Sequence, residues 1–250
     1  MTEQTDSVQS VEKKSKKIRR VWIIALAAVA IIAGVFIGSR IYASTVSAQA
    51  EDVPTLSQTP AAEQSNGAPE TGSDSSAGDT SGTWSVGSGS FAGYRLDEVL
   101  NGADVTVTGR TEDITGSLTV QEDQLIAADL TLQVDTISTD SDRRDQYFRT
   151  TAIDTEQFPE ATFSLVEPVD VSASHVGGAQ SFNMTGELTL NGQTVAVTTD
   201  VEAVFNDGQA QLVGQIPVNW ADFGVEAPDL GFVAVEDDGF IEFSLNVMQH

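Results

Sequence analysis

The sequence contains no cysteine, and its lysines end at Lys17. Without thiols the chain has no disulfide, no thiolate metal site, no cysteine nucleophile and no cysteine for lipid attachment. From Thr83 onward, five arginines face 28 aspartates and glutamates, a formal charge of about −23. Because phosphate binding requires clustered cations, this surface predicts no nucleic-acid partner, and we interpret its acids as keeping the domain soluble.

Histidine is almost as scarce, since only His175 and His250 are present. A serine nucleophile requires a base and an orienting group, and a histidine metal site requires several imidazoles. Carboxylates are abundant, but the spacing of Asp140, Asp142 and Asp145 does not match a calcium-binding loop. The sequence therefore predicts a protein that is not an enzyme and has no cofactor. An enzyme with two converging carboxylates is the remaining catalytic hypothesis.

The N-terminal region predicts a membrane anchor. Residues 1–20 form a basic segment, and residues 21–41 are long and apolar enough for a single transmembrane helix. The cations lie mainly before this helix, which predicts a cytoplasmic N-terminus, an extracytoplasmic C-terminal domain and a cell-membrane location. A cleaved signal peptide is the alternative, because Ala48–Ala50 has the small-residue pattern of a cleavage site.

Residues 42–82 are rich in serine, threonine, proline and acids, and contain few large apolar residues. Such a segment cannot bury enough apolar area to offset its chain entropy, so we predict a disordered linker. The linker would hold a folded domain, residues 83–250, away from the membrane.

Within residues 83–250, apolar and polar residues alternate over many short segments. Phe182–Leu190 and Phe240–Val247 each place their apolar residues on one face. Turn-forming residues stand at Asn191-Gly192, Asn206–Gly208 and Asp237–Gly239, where hairpins require positive φ. The pattern predicts an all-β domain of about eight antiparallel strands, in a sandwich or a barrel.

Two segments interrupt the alternation. Asp140–Thr150 begins with residues that cap helices and predicts a short helix, and Ala92–Leu100 is interpreted as a second one. Short helices inserted between strands would cover the mouth of a barrel.

A barrel of about eight strands has an interior that side chains just fill, or that holds one small ligand. The large apolar residues of the domain are the candidate ligand-binding wall, and core packing is the alternative role that the sequence favours for any single one of them. These candidates are Phe91, Tyr94, Phe148, Phe158, Phe163, Phe182, Met184, Trp220, Phe223 and Phe232.

Six short motifs, in this order and spacing, resemble the YceI-like family of lipid- and polyisoprenoid-binding proteins. They are Gly82–Val86, Thr108–Val120, Ile137–Thr139 followed by Arg144-Asp145, Phe158–Phe163, Gly186–Thr194 and Asp222–Gly224. The resemblance covers about Gly82 to Val247. It implies an antiparallel, eight-stranded, lipocalin-like barrel with an apolar tunnel for an isoprenoid chain.

The chain departs from that family in two places. Phe91–Val107 lacks the histidine-serine pair and the further histidine of many members, and Val195 replaces a common lysine. The resemblance therefore does not carry the headgroup contacts of those residues to this chain. It does imply a pairing of Arg144 with an acid at a strand end.

Two functions follow from this sequence. The first is extracytoplasmic binding or carriage of an apolar lipid, such as a polyisoprenoid, inside the barrel. The alternative is a structural or interaction domain with a filled barrel and an acidic surface. The expected partners are the lipid and, through the N-terminal helix, the membrane.

Overall fold

The computed structural model describes residues 50–57, 80–175, 178–206, 208–229, 231 and 233–250. The predicted transmembrane helix and most of the predicted linker lie outside these residues. In the part of the chain that is described, no helix combines the length and the apolar character required to cross a bilayer.

Eleven strand segments form a single sheet. Their bounds are β1 Gly82–Val86, β2 Phe91–Leu100, β3 Ala103–Thr111, β4 Ile114–Gln121, β5 Gln124–Gln133, β6 Glu160–Leu165, β7 Val169–Asp170, β8 Gln180–Leu190, β9 Gln193–Asn206, β10 Gln209–Asn219 and β11 Val233–Gln249. The helix α1, Asp142–Tyr147, continues into a π-helical turn, Phe148–Ala152. Short 3₁₀ turns occupy Val134–Thr136, Ser172–His175 and Trp220–Phe223.

The sheet closes into an eight-stranded antiparallel barrel because β1 pairs with both β4 and β11. The ring runs β1-β4-β5-β6-β8-β9-β10-β11 and back to β1. The hairpin of β2 and β3 extends the wall, since β2 pairs with the first part of β11 and β1 with the last part. The predicted all-β, lipocalin-like barrel with a short helix is thus confirmed.

The predicted helix at Ala92–Leu100 is wrong, since these residues lie in β2. Ala92 and Tyr94 are buried in the barrel core, and β2 hydrogen-bonds to β11 on one side and β3 on the other. Two strand partners satisfy the whole backbone, which outweighs a weak local helical preference. The helix predicted at Asp140–Thr150 is present as α1 and its π-helical continuation.

The turn at Asn191-Gly192 is confirmed, with φ of 52° and 73° at its two residues. The turn predicted at Asp237–Gly239 is wrong, because β11 runs through it with a register shift between Val235 and Gly239. A bulge accommodates the extra residues while the long strand continues, so the acidic residues sit in a bulge rather than between two strands.

Two aromatic-rich clusters fill the barrel, one near each end. The upper cluster, beside α1, contains Tyr94, Trp220 and Phe223, and the lower one contains Trp84 and Phe182. We use "upper" and "lower" in this sense below.

Residues 50–57, here called the strap, lie against the outer wall of the barrel, in a stretch for which the sequence predicts a disordered linker. The Glu51 amide donates a hydrogen bond to Thr108 Oγ1 at 2.9 Å. The Ser57 amide donates to Gln211 Oε1 at 2.7 Å. Since Thr108 is on β3 and Gln211 on β10, the strap crosses the outside of β3, β2, β11 and β10.

The strap covers a buried ion cluster centred on Glu242, whose side chain has no solvent exposure. Arg95 Nε donates to Glu242 Oε2 at 2.9 Å, and Arg110 Nη2 contacts Oε1 at 2.6 Å. Each arginine also donates to a strap carbonyl, Arg95 to that of Glu51 and Arg110 to that of Asp52. The Glu51 carboxylate also lies 3.7 Å from Arg110. The strap therefore adds two carbonyls and a second carboxylate to the pair of cations that Glu242 binds.

Candidate ligand-binding site

A chamber of about 560 Å³ lies in the upper half of the barrel. Its walls are mainly aliphatic and aromatic, and they include Leu96, Leu132, Val134, Ile137, Leu190 and Ile241. Alternation along the strands produces these walls, because every second side chain of a barrel strand points inward. The volume lies in the range of about 300–1,000 Å³ that ligand pockets occupy.

The chamber reaches solvent between α1 and residues 225–228. Arg143, Tyr147 and Glu226 line it, and all three are exposed residues. Asp145 fixes the start of α1 over the chamber, because its buried carboxylate accepts hydrogen bonds from the Thr139 amide and hydroxyl at 2.9 and 2.7 Å. The helix thus forms one side of an open mouth.

Below the chamber the interior narrows. A central cavity of about 90 Å³ shares Leu132, Ala161, Leu188 and Ile241 with the chamber. A lower cavity of about 40 Å³ shares other residues with the central one, including Met184. The three spaces follow the barrel axis, so a ligand longer than the chamber must push central side chains apart.

Three aromatic rings form part of the chamber wall. Tyr94 stacks on Phe148 with ring centroids 5.2 Å apart and meets the edge of Trp220 at 6.5 Å. The Trp220 ring lies directly on Gly239, where an added Cβ would come within 2.3 Å of its Cζ2 atom. Only glycine at this position of β11 leaves room for the indole.

An ion pair lies at the chamber beneath α1. Glu98, near the end of β2, is 6% exposed, and Arg144 of α1 lies 3.6 Å from its Oε1 atom. Arg144 also contacts Asp140 Oδ1 at 2.5 Å. Arg144 therefore pairs with an acid at a strand end, as the sequence predicts, and it shares its charge between two carboxylates.

Burial changes the acidity of two groups in this region. Burial raises the pKa of the Glu98 carboxyl above its ordinary value, although the Arg144 guanidinium opposes the shift. Burial also raises the pKa of the Tyr94 hydroxyl well above its usual range, so this hydroxyl stays neutral at physiological pH. The chamber thus disfavours negative charge on its own side chains.

Trp220, one of the chamber residues, carries a buried donor that has no acceptor. Its Nε1 atom is buried and has no hydrogen-bond partner among the described residues. Trp84, at the lower end, donates instead to the Thr80 carbonyl at 3.0 Å. Since a buried unpaired donor costs about 1–3 kcal/mol, the contrast marks the Trp220 position as unusual.

The comparison with known families matches residues 86–247 of this chain to the YceI-like domain. The chain belongs to the YceI-like family. UPF0312 proteins of Vibrio campbellii and Vibrio parahaemolyticus are 31% and 30% identical to it over 134 and 128 residues. These matches cover 50% and 48% of this chain and 67% and 65% of the two relatives.

Two solved structures share the fold of this YceI-like domain. A polyisoprenoid binding domain from Saccharophagus degradans has a TM-score of 0.54 and 17% identity, over 67% of this chain and 98% of that domain. BcnA from Burkholderia cenocepacia has a TM-score of 0.51 and 21% identity, over 62% of this chain and 95% of BcnA. The family resemblance read from the sequence motifs is confirmed.

Six of the ten predicted wall residues of the YceI-like domain line its interior. Tyr94, Phe148 and Trp220 line the chamber. Phe163 lines the central cavity, Phe182 the lower cavity, and Met184 both of them. The structure therefore distributes these six residues along the barrel axis rather than around one site.

The other four candidates lie elsewhere. Phe91 lies on the outer wall beneath Arg110, whose guanidinium carbon is 4.5 Å from the ring centroid. Phe223 is 1% exposed in the upper core, and Phe158 packs beside Gly192 of a hairpin turn. Phe232 lies outside the described residues.

Glu98 and its neighbours Leu96 and Leu100 line the chamber but are absent from the sequence-based candidates. These residues follow Tyr94 at every second position, and this spacing would have indicated that they share one face of a strand. The interpretation of Ala92–Leu100 as a helix concealed it, since a helix does not place these residues on one face.

We expect the free energy of unfolding to depend on pH through Glu98. The folded protein holds this proton more tightly than the unfolded chain, whose glutamate titrates near 4.5. Stability should therefore fall as the pH rises from about that value through the raised folded pKa. Glu98→Gln should flatten this part of the profile, as measured by urea unfolding at a series of pH values.

Glu187→Gln is the matched control, because Glu187 is exposed on β8. Its profile should follow that of the unmodified protein. An equally steep fall in stability in Glu98→Gln would show that Glu98 does not cause it.

Proposed function

We propose that this YceI-like domain binds and carries an apolar lipid of the polyisoprenoid class inside its barrel, without covalent chemistry. The observation that carries the proposal is the chamber of about 560 Å³, walled mainly by apolar side chains and open beside α1. Such a space excludes water from an apolar chain without requiring a reactive group.

The proposed ligand class fits the interior below the chamber. The narrow central and lower cavities continue along one axis, and their walls are almost wholly apolar. An isoprenoid chain is a hydrocarbon, and each buried methylene contributes about 0.8 kcal/mol to binding. Support also comes from the similar domain of Saccharophagus degradans, which is described as polyisoprenoid binding.

A filled barrel with an interacting acidic surface is the alternative function. It requires continuous packing along the barrel axis, whereas the upper half leaves the chamber open. The chamber therefore favours a bound ligand over a purely structural role.

In this proposal the domain lies outside the cytoplasmic membrane, with residues 21–41 as its anchor. The strap attaches the chain to the barrel from residue 50 onward. Only a short segment therefore separates the proposed anchor from the barrel. Residues 42–49 span at most about 29 Å when extended. A barrel held within this distance can exchange lipid with the membrane surface.

The direct test is native mass spectrometry of the full chain, released from membranes in a mild detergent. We expect a lipid adduct that dissociates with the mass of a polyisoprenoid, at up to one molecule per chain. A protein that is free of lipid and takes up no isoprenoid on titration would contradict the proposal.

The anchored topology has a separate test. Protease added to intact spheroplasts should remove the C-terminal domain, and a cytoplasmic protein should survive as the control. Protection of the domain until the membrane is broken would place it inside the cell.

A further inference from the structure

The strap lies on a defined patch of the outer wall, here called the strap site. The patch is formed by the side chains of Arg95, Thr108, Arg110 and Gln211. Near the start of the strap, Thr108 Oγ1 accepts from the Glu51 amide, and the two arginines donate to the carbonyls of Glu51 and Asp52. At its end, Gln211 Oε1 accepts from the Ser57 amide. Side chains of three strands therefore bind one extended segment, mainly through its backbone.

The strap site is locally positive on an acidic domain. Two guanidinium groups share the carboxylate of Glu242 here, whereas residues 83–250 carry a formal charge of about −23. The strap brings the opposite charge, because Glu51 and Asp52 are acidic and the Glu51 carboxylate lies 3.7 Å from Arg110. The net negative charge of the rest of the domain repels these two acids, so charge favours docking of the strap at this patch.

The contacts of the strap are of a kind that water can replace. None of residues 50–57 is buried, and Val53 is 45% exposed. Little apolar area therefore leaves water when the strap docks, and each hydrogen bond replaces one that water can make. Arg95 and Arg110 keep Glu242 as their partner whether or not the strap is docked. Release of the strap thus leaves the ion cluster of the barrel paired.

The connection between the strap and the barrel is longer than the gap it spans. Ser57 lies at Gln211 of β10, which pairs with Asn246 of β11, and β1 pairs with the last residues of β11 on its other side. From the spacing and rise of strands, the end of the strap and Gly82 are about 20 Å apart. Residues 58–81 span up to about 86 Å when extended. The strap can therefore leave the wall without pulling on β1.

We propose that the strap site is a docking site for an extended acidic segment, which the strap of the same chain occupies reversibly. With the strap docked, residues 42–49 are the tether of the proposed anchor and span at most about 29 Å. With the strap released, residues 42–79 span up to about 137 Å. The strap site thus sets how far the barrel reaches from the membrane. Docking is independent of lipid binding, whereas the change of reach rests on the anchored topology proposed above.

The test uses the full chain in a mild detergent. Because the chain contains no cysteine, two introduced cysteines can be spin-labelled selectively. One replaces Thr55, exposed in the strap, and the other replaces Glu187, exposed on β8. Pulsed electron spin resonance should show a narrow distance for the docked strap and a broad distribution for the released one. A broad distribution alone would overturn the docking site. Loss of the narrow distance on dilution with unlabelled chains would assign the site to the strap of a second copy, and would overturn docking within one chain.

A substitution in the strap tests the contacts without changing the barrel. Glu51→Pro removes the amide that donates to Thr108 and the carboxylate beside Arg110, so it should reduce the narrow population at least about fivefold. Glu63→Pro is the matched control, because it is the same substitution beyond the strap, and it should leave the distances unchanged. A narrow population that persists in Glu51→Pro would show that these contacts do not hold the strap.

A synthetic peptide of residues 49–58 tests reversibility. A flexibly linked segment has an effective concentration on the order of 1 mM, so the peptide is added to the doubly labelled chain above that concentration. It should lower the narrow population at least about twofold, whereas a scrambled peptide of the same composition should not. No effect of the peptide would overturn reversible docking. Equal effects of the two peptides would overturn recognition of this segment.

Reach is measured by energy transfer from a fluorophore at Glu187→Cys to acceptor lipids, in nanodiscs that hold the full chain. Glu51→Pro should lower the transfer at least about twofold, because the released tether is longer, and Glu63→Pro should not. If the strap is released but the transfer is unchanged, the anchored topology and the change of reach fail, while the docking site stands. If the strap stays docked in Glu51→Pro and the domain is accessible to protease on spheroplasts, only this inference fails.

Discussion

Replacing Ala161 with phenylalanine should reduce the affinity for a long polyisoprenoid by at least about 100-fold while the barrel stays folded. Ala161 lies on β6 and lines both the chamber and the central cavity, where the interior narrows from about 560 to about 90 Å³. A phenyl ring at this junction would close the route between them. Overpacking of this kind costs about 1–3 kcal/mol, which a domain of this size tolerates.

Ala196→Phe is the matched control. It is the same substitution, but Ala196 lies on the exposed side of β9. Its affinity should stay within about twofold of the unmodified protein. Affinities are measured by lipid displacement, and circular dichroism verifies the fold of both variants. Unchanged binding in Ala161→Phe would mean that the tail does not pass from the chamber into the bore.

Glu242→Gln should lower the free energy of unfolding by about 3–5 kcal/mol, the usual cost of removing one member of a buried ion pair. The Glu242 side chain has no exposure, and it contacts Arg95 at 2.9 Å and Arg110 at 2.6 Å. A neutral amide leaves Arg95 without its counter-charge beneath the strap, and it leaves Arg110 only the exposed Glu51 carboxylate at 3.7 Å. Urea unfolding of the variant and the unmodified protein measures the difference.

The control is Glu202→Gln, at an exposed position of β9, which should change the free energy of unfolding by less than about 0.5 kcal/mol. A second comparison replaces the whole cluster, with Arg95→Met, Arg110→Met and Glu242→Leu together. This triple variant should be more stable than Glu242→Gln, since it leaves no unpaired charge. A loss below about 1 kcal/mol in Glu242→Gln would indicate that water reaches the cluster.

The chamber and the ion cluster lie on opposite faces of β11. Ile241 faces the chamber, whereas Glu242, the next residue of β11, faces the strap on the outer wall. Alternation along one strand therefore separates the ligand space from the ion cluster. We expect Glu242→Gln to change stability without changing the lipid affinity of the chamber.

The sequence by itself determined the class of fold. Alternation at Phe182–Leu190 and the turn at Asn191-Gly192 specify antiparallel strands, because the side-chain period and the positive φ are local properties. The motifs from Gly82 to Val247 identified the family. The large apolar side chains of Tyr94, Phe148 and Trp220 made them candidate wall residues, and all three line the chamber.

The tertiary structure decided what depends on partners that are distant in sequence. Ala92–Leu100 becomes a strand only because β11 and β3 lie on its two sides, and the bulge at Asp237–Gly239 exists only because β11 continues past it. Glu98 meets Arg144, and Glu242 meets Arg110, across long stretches of chain. A periodic pattern fixes which face a side chain takes, but the pairing register fixes its neighbours, and the neighbours set charge, burial and open space.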